Sequence, residues 1–205
     1  MKKFVLYTAV FGKLGKSRTP QLSNPDVDRF CYTDLDINDE FYQIRKMNLD
    51  HLEAVRRQRL IKVCIPDEVF DNYEYSFYVD RKHPIKVDFD YFLSLLEPQS
   101  DFATRPHRYK RRTCVYEEGR VCIEGGKGNE ADILKQLEFY KKENYPVDNG
   151  LYATFVLFRR HTKRLKEFSR LWWEQIERYS HRDQISLPYV AWKYGMKISL
   201  CKRSR

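Results

Sequence analysis

The residues with the most chemistry in this sequence come in short clusters. They are Asp80, Arg81 and Lys82 in YVDRK; Arg159, Arg160 and His161 in LFRRH; His181, Arg182, Asp183 and Gln184 in SHRDQIS; and the adjacent acids Glu117 and Glu118 in CVYEEG. A carboxylate at the end of a buried strand can face a crevice and ligate a divalent ion, while neighbouring bases offset diphosphate charge. Asp80 is therefore a candidate ligand for Mn²⁺ or Mg²⁺, with Arg81 and Lys82 as candidate phosphate contacts. The alternative is a turn aspartate beside two solvated bases. Arg159, Arg160 and His161 lie close enough in sequence to bind phosphate. His161 is either a further metal ligand beside Asp80 or a histidine held by structural hydrogen bonds. Asp183 either caps a following helix or accepts a proton from a substrate hydroxyl.

The flanking segments say what positions these groups. FVLYTAVFG is short and almost entirely apolar, which predicts a strand over Phe4 to Ala9 covered on both faces, with Gly12 permitting a tight departure into a loop. RFCYTDLD predicts a second strand and a polar turn that Asp34 or Asp36 caps. LDHLEAVRRQRLIKV has helical spacing, with Leu49, Leu52, Val55 and Leu60 packing. Arg56 and Arg59 are three apart and share a face of it, either solvated or phosphate-binding. YEYSFYVD predicts a strand ending at Asp80, and Asp88 and Asp90 in DFDYFLSLL fit a helix start. RPHRYKRRTCVYEEG reads as a ligand rim, and the following EGGKGN turn lacks P-loop spacing. ADILKQLEFYKKENY predicts a helix that packs Phe139 and Tyr140, and GLYATFVLFRRH a strand that delivers Arg159 to His161 at its end. FSRLWWEQIERYS is an amphipathic helix anchored by Trp172 and Trp173, Pro188 interrupts a simple helix nearby, and KISLCKRSR begins as a strand and ends as a basic tail. Strands recurring between amphipathic helices predict one α/β domain over residues 1–205, with a mostly parallel or mixed central sheet flanked by helices.

The chain has 205 residues, 38 Lys plus Arg against 29 Asp plus Glu, a net charge of +9 and 15% aromatic residues, which excludes a disordered chain. The charge favours a polyanionic partner: nucleic acid, anionic membrane, phosphorylated metabolite or nucleotide sugar. No apolar run approaches the length of a transmembrane segment, and the N-terminal stretch is too short for a signal peptide, so a cytoplasmic location is expected. Five cysteines without a CxxC pair predict reduced thiols, with Cys64 buried. Nothing in the sequence sets an oligomeric state.

Taken in order, VLYTAVFG, RFCYTDL, VRRQRLIKVCIP, YSFYVDRK, HRYKRRTCVYEE, LFRRH and WWEQIERYSHRDQIS resemble the DUF616 family of glycosyltransferase-like proteins, which includes TOD1-like and mucilage-related plant proteins. The matches run from about residue 4 to residue 190. The resemblance implies a GT-A-like fold and transfer of a sugar from a nucleotide-diphosphate-sugar donor to a hydroxyl acceptor, a glycan foremost. It also implies that Thr8, Ala9, Val10, Phe11 and Asp34 border the nucleoside, that Arg56, Arg59 and Lys62 approach the diphosphate, and that Asp80 stands near the metal. Many metal-dependent GT-A enzymes carry two acids one residue apart here, whereas YVD at 78–80 keeps only the last. Either Asp80 binds Mn²⁺ or Mg²⁺ with His161 as an additional ligand, or Arg81, Lys82, Arg159 or Arg160 neutralises the leaving group without metal. For inversion, Asp183 or Glu118 would activate the acceptor, with Asp183 favoured. A glycosidase is disfavoured because adjacency of Glu117 and Glu118 does not supply a cross-cleft separation. The alternative from another class is a noncatalytic nucleic-acid- or polyanion-binding protein. No RRM, OB, zinc-finger or helix-turn-helix signature supports it, and acidic patches interrupt any basic track.

Overall fold

The first apolar run alternates between two buried faces: Val5, Tyr7 and Ala9 join one core cluster and Leu6 the other. That is the pattern of a central strand covered on both sides, and β1 (Lys2–Val10) lies inside a seven-stranded sheet. The computed structural model describes residues 2–107 and 112–201. In chain order, β2 (Gln21–Leu22), β3 (Asp28–Thr33) and β4 (Gln43–Lys46) are followed by α1 (Ala54–Cys64), α2 (Asp67–Asn72) and β5 (Tyr73–Val79). Then come β6 (Lys86–Val87), α3 (Phe89–Leu95), β7 (Phe102–Pro106), α4 (Val115–Glu124) and α5 (Glu130–Lys142). The chain continues through β8 (Tyr152–Arg160), α6 (Lys163–Arg178), α7 (Asp183–Tyr194) and β9 (Ile198–Leu200).

The sheet order is β4-β3-β1-β5-β8-β7-β9. Every pairing is parallel except those of β8, which runs against both β5 and β7. The expected mixed α/β sheet is therefore mostly parallel, with one reversed strand. β1 has β3 on one side and β5 on the other, so the chain leaves it in opposite directions and opens a crevice at the carboxyl ends of β1 and β5. The short parallel pair β2-β6 forms beside that opening.

The two sheet faces are covered differently. Ile61 and Val63 of α1, Leu165, Phe168 and Trp172 of α6, and Ile185 and Leu187 of α7 pack on one face. Phe89 and Phe92 of α3 pack on the other, against Phe77 and Phe158. Trp172 is fully buried and donates its indole N–H to Ser186 Oγ at 2.9 Å, and Tyr140 stacks on Tyr189 at 4.0 Å. Both aromatics are packing anchors, as their helical spacing predicts.

Three local expectations change. α1 begins at Ala54, so Leu49 and Leu52 belong to the preceding turn, although Leu49 still packs on the core. α7 continues through Pro188, at the loss of one backbone donor. Asp183 occupies the first turn of α7 and makes no capping hydrogen bond; its carboxylate is engaged elsewhere. Asp88 does cap α3, accepting from the Tyr91 N–H at 3.0 Å. Residues 108–111 of the expected ligand rim and the basic tail 202–205 lie outside the described residues. No described helix is long and apolar enough to cross a membrane.

Candidate active site

The crevice at the ends of β1 and β5 has a volume of about 610 Å³. Ala9, Val10, Phe11 and Gly12 form one wall, Val55, Gln58 and Arg59 of α1 a second, and Asp80, Arg81 and Lys82 a third. Lys13 and Lys16 reach it from the loop after β1. Five cations, Lys13, Lys16, Arg59, Arg81 and Lys82, thus face one carboxylate, Asp80, among the described lining residues. Gly12 is required by the geometry: its φ is +76°, and a Cβ there would sit 2.7 Å from the Cβ of Ala54 at the start of α1. Asp34 fixes this loop by accepting from the Gly12 N–H at 3.0 Å, and Arg57 pairs with Asp34 at 2.8 Å.

Asp80 sits on a polar cluster between β5 and α1. Residues two apart on a strand share a face, so Tyr78 and Asp80 both look toward α1. On α1, Val55, Gln58, Arg59 and Lys62 follow the i, i+3, i+4, i+7 spacing of a single stripe. Tyr78 donates its hydroxyl to Asp80 Oδ1 at 2.8 Å, and Gln58 Nε2 donates to the same oxygen at 3.0 Å. Lys62 Nζ is 3.7 Å from Asp80 Oδ2 and 2.6 Å from Asp183 Oδ2. Arg59 Nε lies 3.5 Å from Asp183, and its guanidinium also donates to Gln58 Oε1. Asp80 and Asp183, more than 100 residues apart in sequence, are joined through one lysine whose side chain is 1% exposed.

Burial and charge oppose each other in this cluster. Burial pushes the Asp183 carboxyl up, but Arg59 and Lys62 outweigh it and hold the group far below the usual carboxylate range. Burial draws Arg59 down, and Asp183 and Asp80 more than restore it. Lys62 is drawn below its ordinary value by burial, which its two carboxylates offset only in part. Burial, followed by the Asp80 charge, raises Tyr78 well above the usual phenol range, which keeps its hydroxyl a donor.

Several expected roles give way to this geometry. Thr8 is fully buried on the face away from α1 and donates to the Val79 carbonyl at 2.7 Å, so it lies beneath the crevice floor that Ala9, Val10 and Phe11 form. Asp34 braces the Gly12 loop instead of bordering the crevice. Arg56 donates to the Ile176 carbonyl and, at 2.9 Å, to that of Tyr179, which ties α1 to the carboxyl end of α6. Lys62 supports Asp80 from behind and does not line the crevice. Arg81 lines it, but its guanidinium is shared with Asp39 at 2.6 Å and Ser17 at 2.7 Å.

Arg159, Arg160 and His161 do not reach the crevice at all. β8 is antiparallel to β5, and its register pairs Val79 with Val156 but Ser76 with Arg159 and Tyr75 with Arg160. From Ser76 to Asp80 is roughly 13 Å along an extended strand. Arg159, fully buried, donates to the carbonyls of Lys62 and Val63 at 2.8 and 3.2 Å and to the Tyr7 hydroxyl, capping the carboxyl end of α1. Arg160 lies 3.7 Å from Asp101. His161 places its ring nitrogens 2.6 Å from the Tyr73 carbonyl and 2.8 Å from Ser76 Oγ, and burial brings its pKa down to about 4. It is the structural histidine, and not a metal partner of Asp80.

Both candidate bases are buried and ion-paired. Asp183 is 2% exposed and held as an anion by Lys62 and Arg59; a carboxylate whose acid form is so disfavoured is a poor proton acceptor. It serves as a counter-ion. Glu118 follows β7 near the start of α4 and is paired with Arg112 at 2.7 Å, while Cys122 Sγ lies 3.5 Å from its other oxygen. Sequence reasoning missed Gln58, Tyr78, Lys13 and Lys16. The GKLGK run directly after a buried strand, and the polar stripe Val55-Gln58-Arg59-Lys62 on an otherwise packed helix, were the available signals.

The donor set does not fit a divalent cation held by protein ligands. A hard cation requires several oxygen ligands, and no group of three or more His, Cys, Asp or Glu converges among the described residues. One oxygen of Asp80 already accepts two hydrogen bonds and the other faces a buried ammonium.

A mostly parallel sheet with one reversed strand and a basic crevice at its switch point define a domain built like GT-A glycosyltransferases. The sequence profile of the TOD1/MUCI70, glycosyltransferase-like domain matches residues 41–202, and the chain belongs to that family. It is 29% identical over 162 residues to the probable hexosyltransferase MUCI70 of Arabidopsis thaliana, a match covering 74% of this chain and 27% of the relative. The chain therefore spans about a quarter of that protein's length. Among solved structures, the apo WbbM bifunctional glycosyltransferase superposes with a TM-score of 0.53 at 8% identity, over 98% of this chain and 39% of WbbM, a likeness of fold. Mouse xyloside xylosyltransferase 1 in its apo form gives 0.47 at 9% identity, over 97% of this chain and 85% of that one.

Proposed function

We propose that this domain transfers a sugar, a hexose on the relative's description, from a nucleotide-diphosphate-sugar donor to a hydroxyl of a glycan acceptor. The observation that carries the reading is the crevice at the ends of β1 and β5, where five cations face a single carboxylate, one oxygen of which is hydrogen-bonded by Tyr78 and Gln58, in a glycosyltransferase-like domain. When the bond to the anomeric carbon breaks, the nucleoside diphosphate leaves with growing negative charge. Cations gathered where that charge develops stabilise it. Lys13, Lys16 and Lys82 are the side chains assigned to the phosphates, Arg59 and Asp80 close the inner end, and Ala9 to Phe11 provide an apolar wall for the nucleoside. Neither candidate base is free as placed, since Asp183 is committed to Lys62 and Arg59 and the buried Glu118 to Arg112, so no side chain is assigned to the acceptor proton. Several basic side chains are spent inside the protein, Arg56 and Arg159 on backbone carbonyls and Arg57 on Asp34, which argues against a continuous polyanion track.

The test is a panel of UDP-, GDP- and dTDP-sugars, with and without Mn²⁺, assayed for binding and for turnover. Micromolar to millimolar binding of one donor, with turnover of that donor, is expected. Absence of binding across the panel by folded protein would refute the reading.

A further inference from the structure

We propose that Lys62 takes the place of a divalent cation at Asp80, so that this domain binds a nucleoside diphosphate without metal. The inference rests on the donor reading of the crevice and adds a positioning role for a residue that never touches the donor. Two carboxylates, Asp80 and Asp183, face two basic side chains, Lys62 and Arg59, at 3.7 Å or less, and Arg182 also acts on Asp183. The carboxylates are already matched by basic side chains. A dication bound at Asp80 would add two charges next to a buried ammonium, in surroundings where like charges repel strongly.

The hydrogen bonding agrees with the charges. Asp80 Oδ1 is occupied by Tyr78 and Gln58, and a metal approaching that oxygen would displace two good donors. Oδ2 is the oxygen nearest Lys62. Asp183, which could otherwise complete a second ligand, is turned to Lys62 at 2.6 Å and carries no free charge. Meanwhile Lys13, Lys16 and Lys82 are exposed residues around the opening and supply three positive charges where a diphosphate would lie. Lysine binds phosphate as a point charge, without needing a bridging ion. The role assigned to Lys62 is to hold Asp80 and Asp183 in place and to cancel their charge, leaving the outer lysines to neutralise the leaving group.

The experiment is calorimetric titration of the whole protein, stripped with EDTA, with UDP, GDP and dTDP, repeated in millimolar Mn²⁺ or Mg²⁺. The best-binding nucleotide is expected to keep its affinity within about twofold in all three conditions. Electron paramagnetic resonance should find no stoichiometric Mn²⁺ site on the wild-type protein. Affinity that rises tenfold or more with metal, or a Mn²⁺ site lost in Asp80→Asn, would overturn the role of Lys62 while leaving the donor site standing. Failure of every nucleotide with and without metal would remove the donor reading and this inference together. Lys62→Met, where it folds, should gain a Mn²⁺ signal from the freed carboxylates. The wild-type titration decides the matter should that variant not fold.

Discussion

Lys62 and Arg159 are both fully buried cations, and they touch: Arg159 donates to the backbone carbonyl of Lys62. Their partners differ. Arg159 is held by carbonyls and a phenol at the carboxyl end of a helix, a local device that fastens α1 to the sheet. Lys62 is held by two carboxylates, one of which opens into a crevice. A cation satisfied by backbone is finished; a cation satisfied by carboxylates organises a site. The same contrast separates the two ends of β5, with His161 held by a carbonyl and a hydroxyl at one and Asp80 facing the crevice at the other.

The sharpest way to break the comparison is to remove each cation. Lys62→Met should destabilise the protein by about 3–5 kcal/mol, because it removes the closer of the two cations that hold the buried Asp183 and leaves Arg59 at 3.5 Å. Adding Asp183→Leu should recover at least half of that. Arg159→Met should cost less, about 2 kcal/mol, for the backbone groups left without a donor, with no specific effect on nucleotide affinity in the folded fraction. Urea denaturation measures all three. Equal losses, or no recovery in the double variant, would erase the distinction.

The histidine end sharpens it through pH. His161 is held at about 4 against an ordinary 6.5, chiefly by burial, with the Arg159 charge acting in the same direction and the Tyr73 carbonyl opposing. Its contribution is complete above pH 6.5 and is lost on acidification from 6.5 toward 4, where the unfolded chain binds a proton that the native state refuses. The loss amounts to about 3 kcal/mol at most. Urea midpoints at pH 7 and pH 4.5 should show this fall in the wild type and a smaller one in His161→Asn. Identical falls would place the acid sensitivity elsewhere.

The smallest effect belongs to the rim. Lys82→Ala should leave stability unchanged and weaken nucleoside diphosphate binding about tenfold, near 1.4 kcal/mol, with a shallower dependence on salt. Unchanged affinity would move the phosphates away from that rim.

The sequence made the strands legible because both faces of β1 and β5 are apolar, and it made Asp80 legible because it ends such a strand. It did not reveal strand direction. GLYATFVLFRRH does deliver Arg159, Arg160 and His161 at its end, but β8 runs backwards, so that end points away from the crevice. Pattern alone does not encode this, since an apolar strand reads the same in either sense. The burial of Lys62 was hidden for a related reason: its partners Asp80 and Asp183 become neighbours only once the first turn of α7 reaches α1. Arg56, Arg59 and Lys62 all read as phosphate ligands because helical spacing reports a shared face but not what that face meets.

The central claim is that the donor lies at the end of β1 and β5, and not in the larger groove of about 930 Å³ lined by Tyr32, Leu60, Cys64 and Lys166. A crystal structure with the tightest-binding nucleoside diphosphate tests this most directly. The account predicts phosphates within hydrogen-bonding reach of Lys13, Lys16 or Lys82 and beside Gly12. Nucleotide density in the Tyr32–Lys166 groove, with the Gly12 crevice vacant, would contradict it.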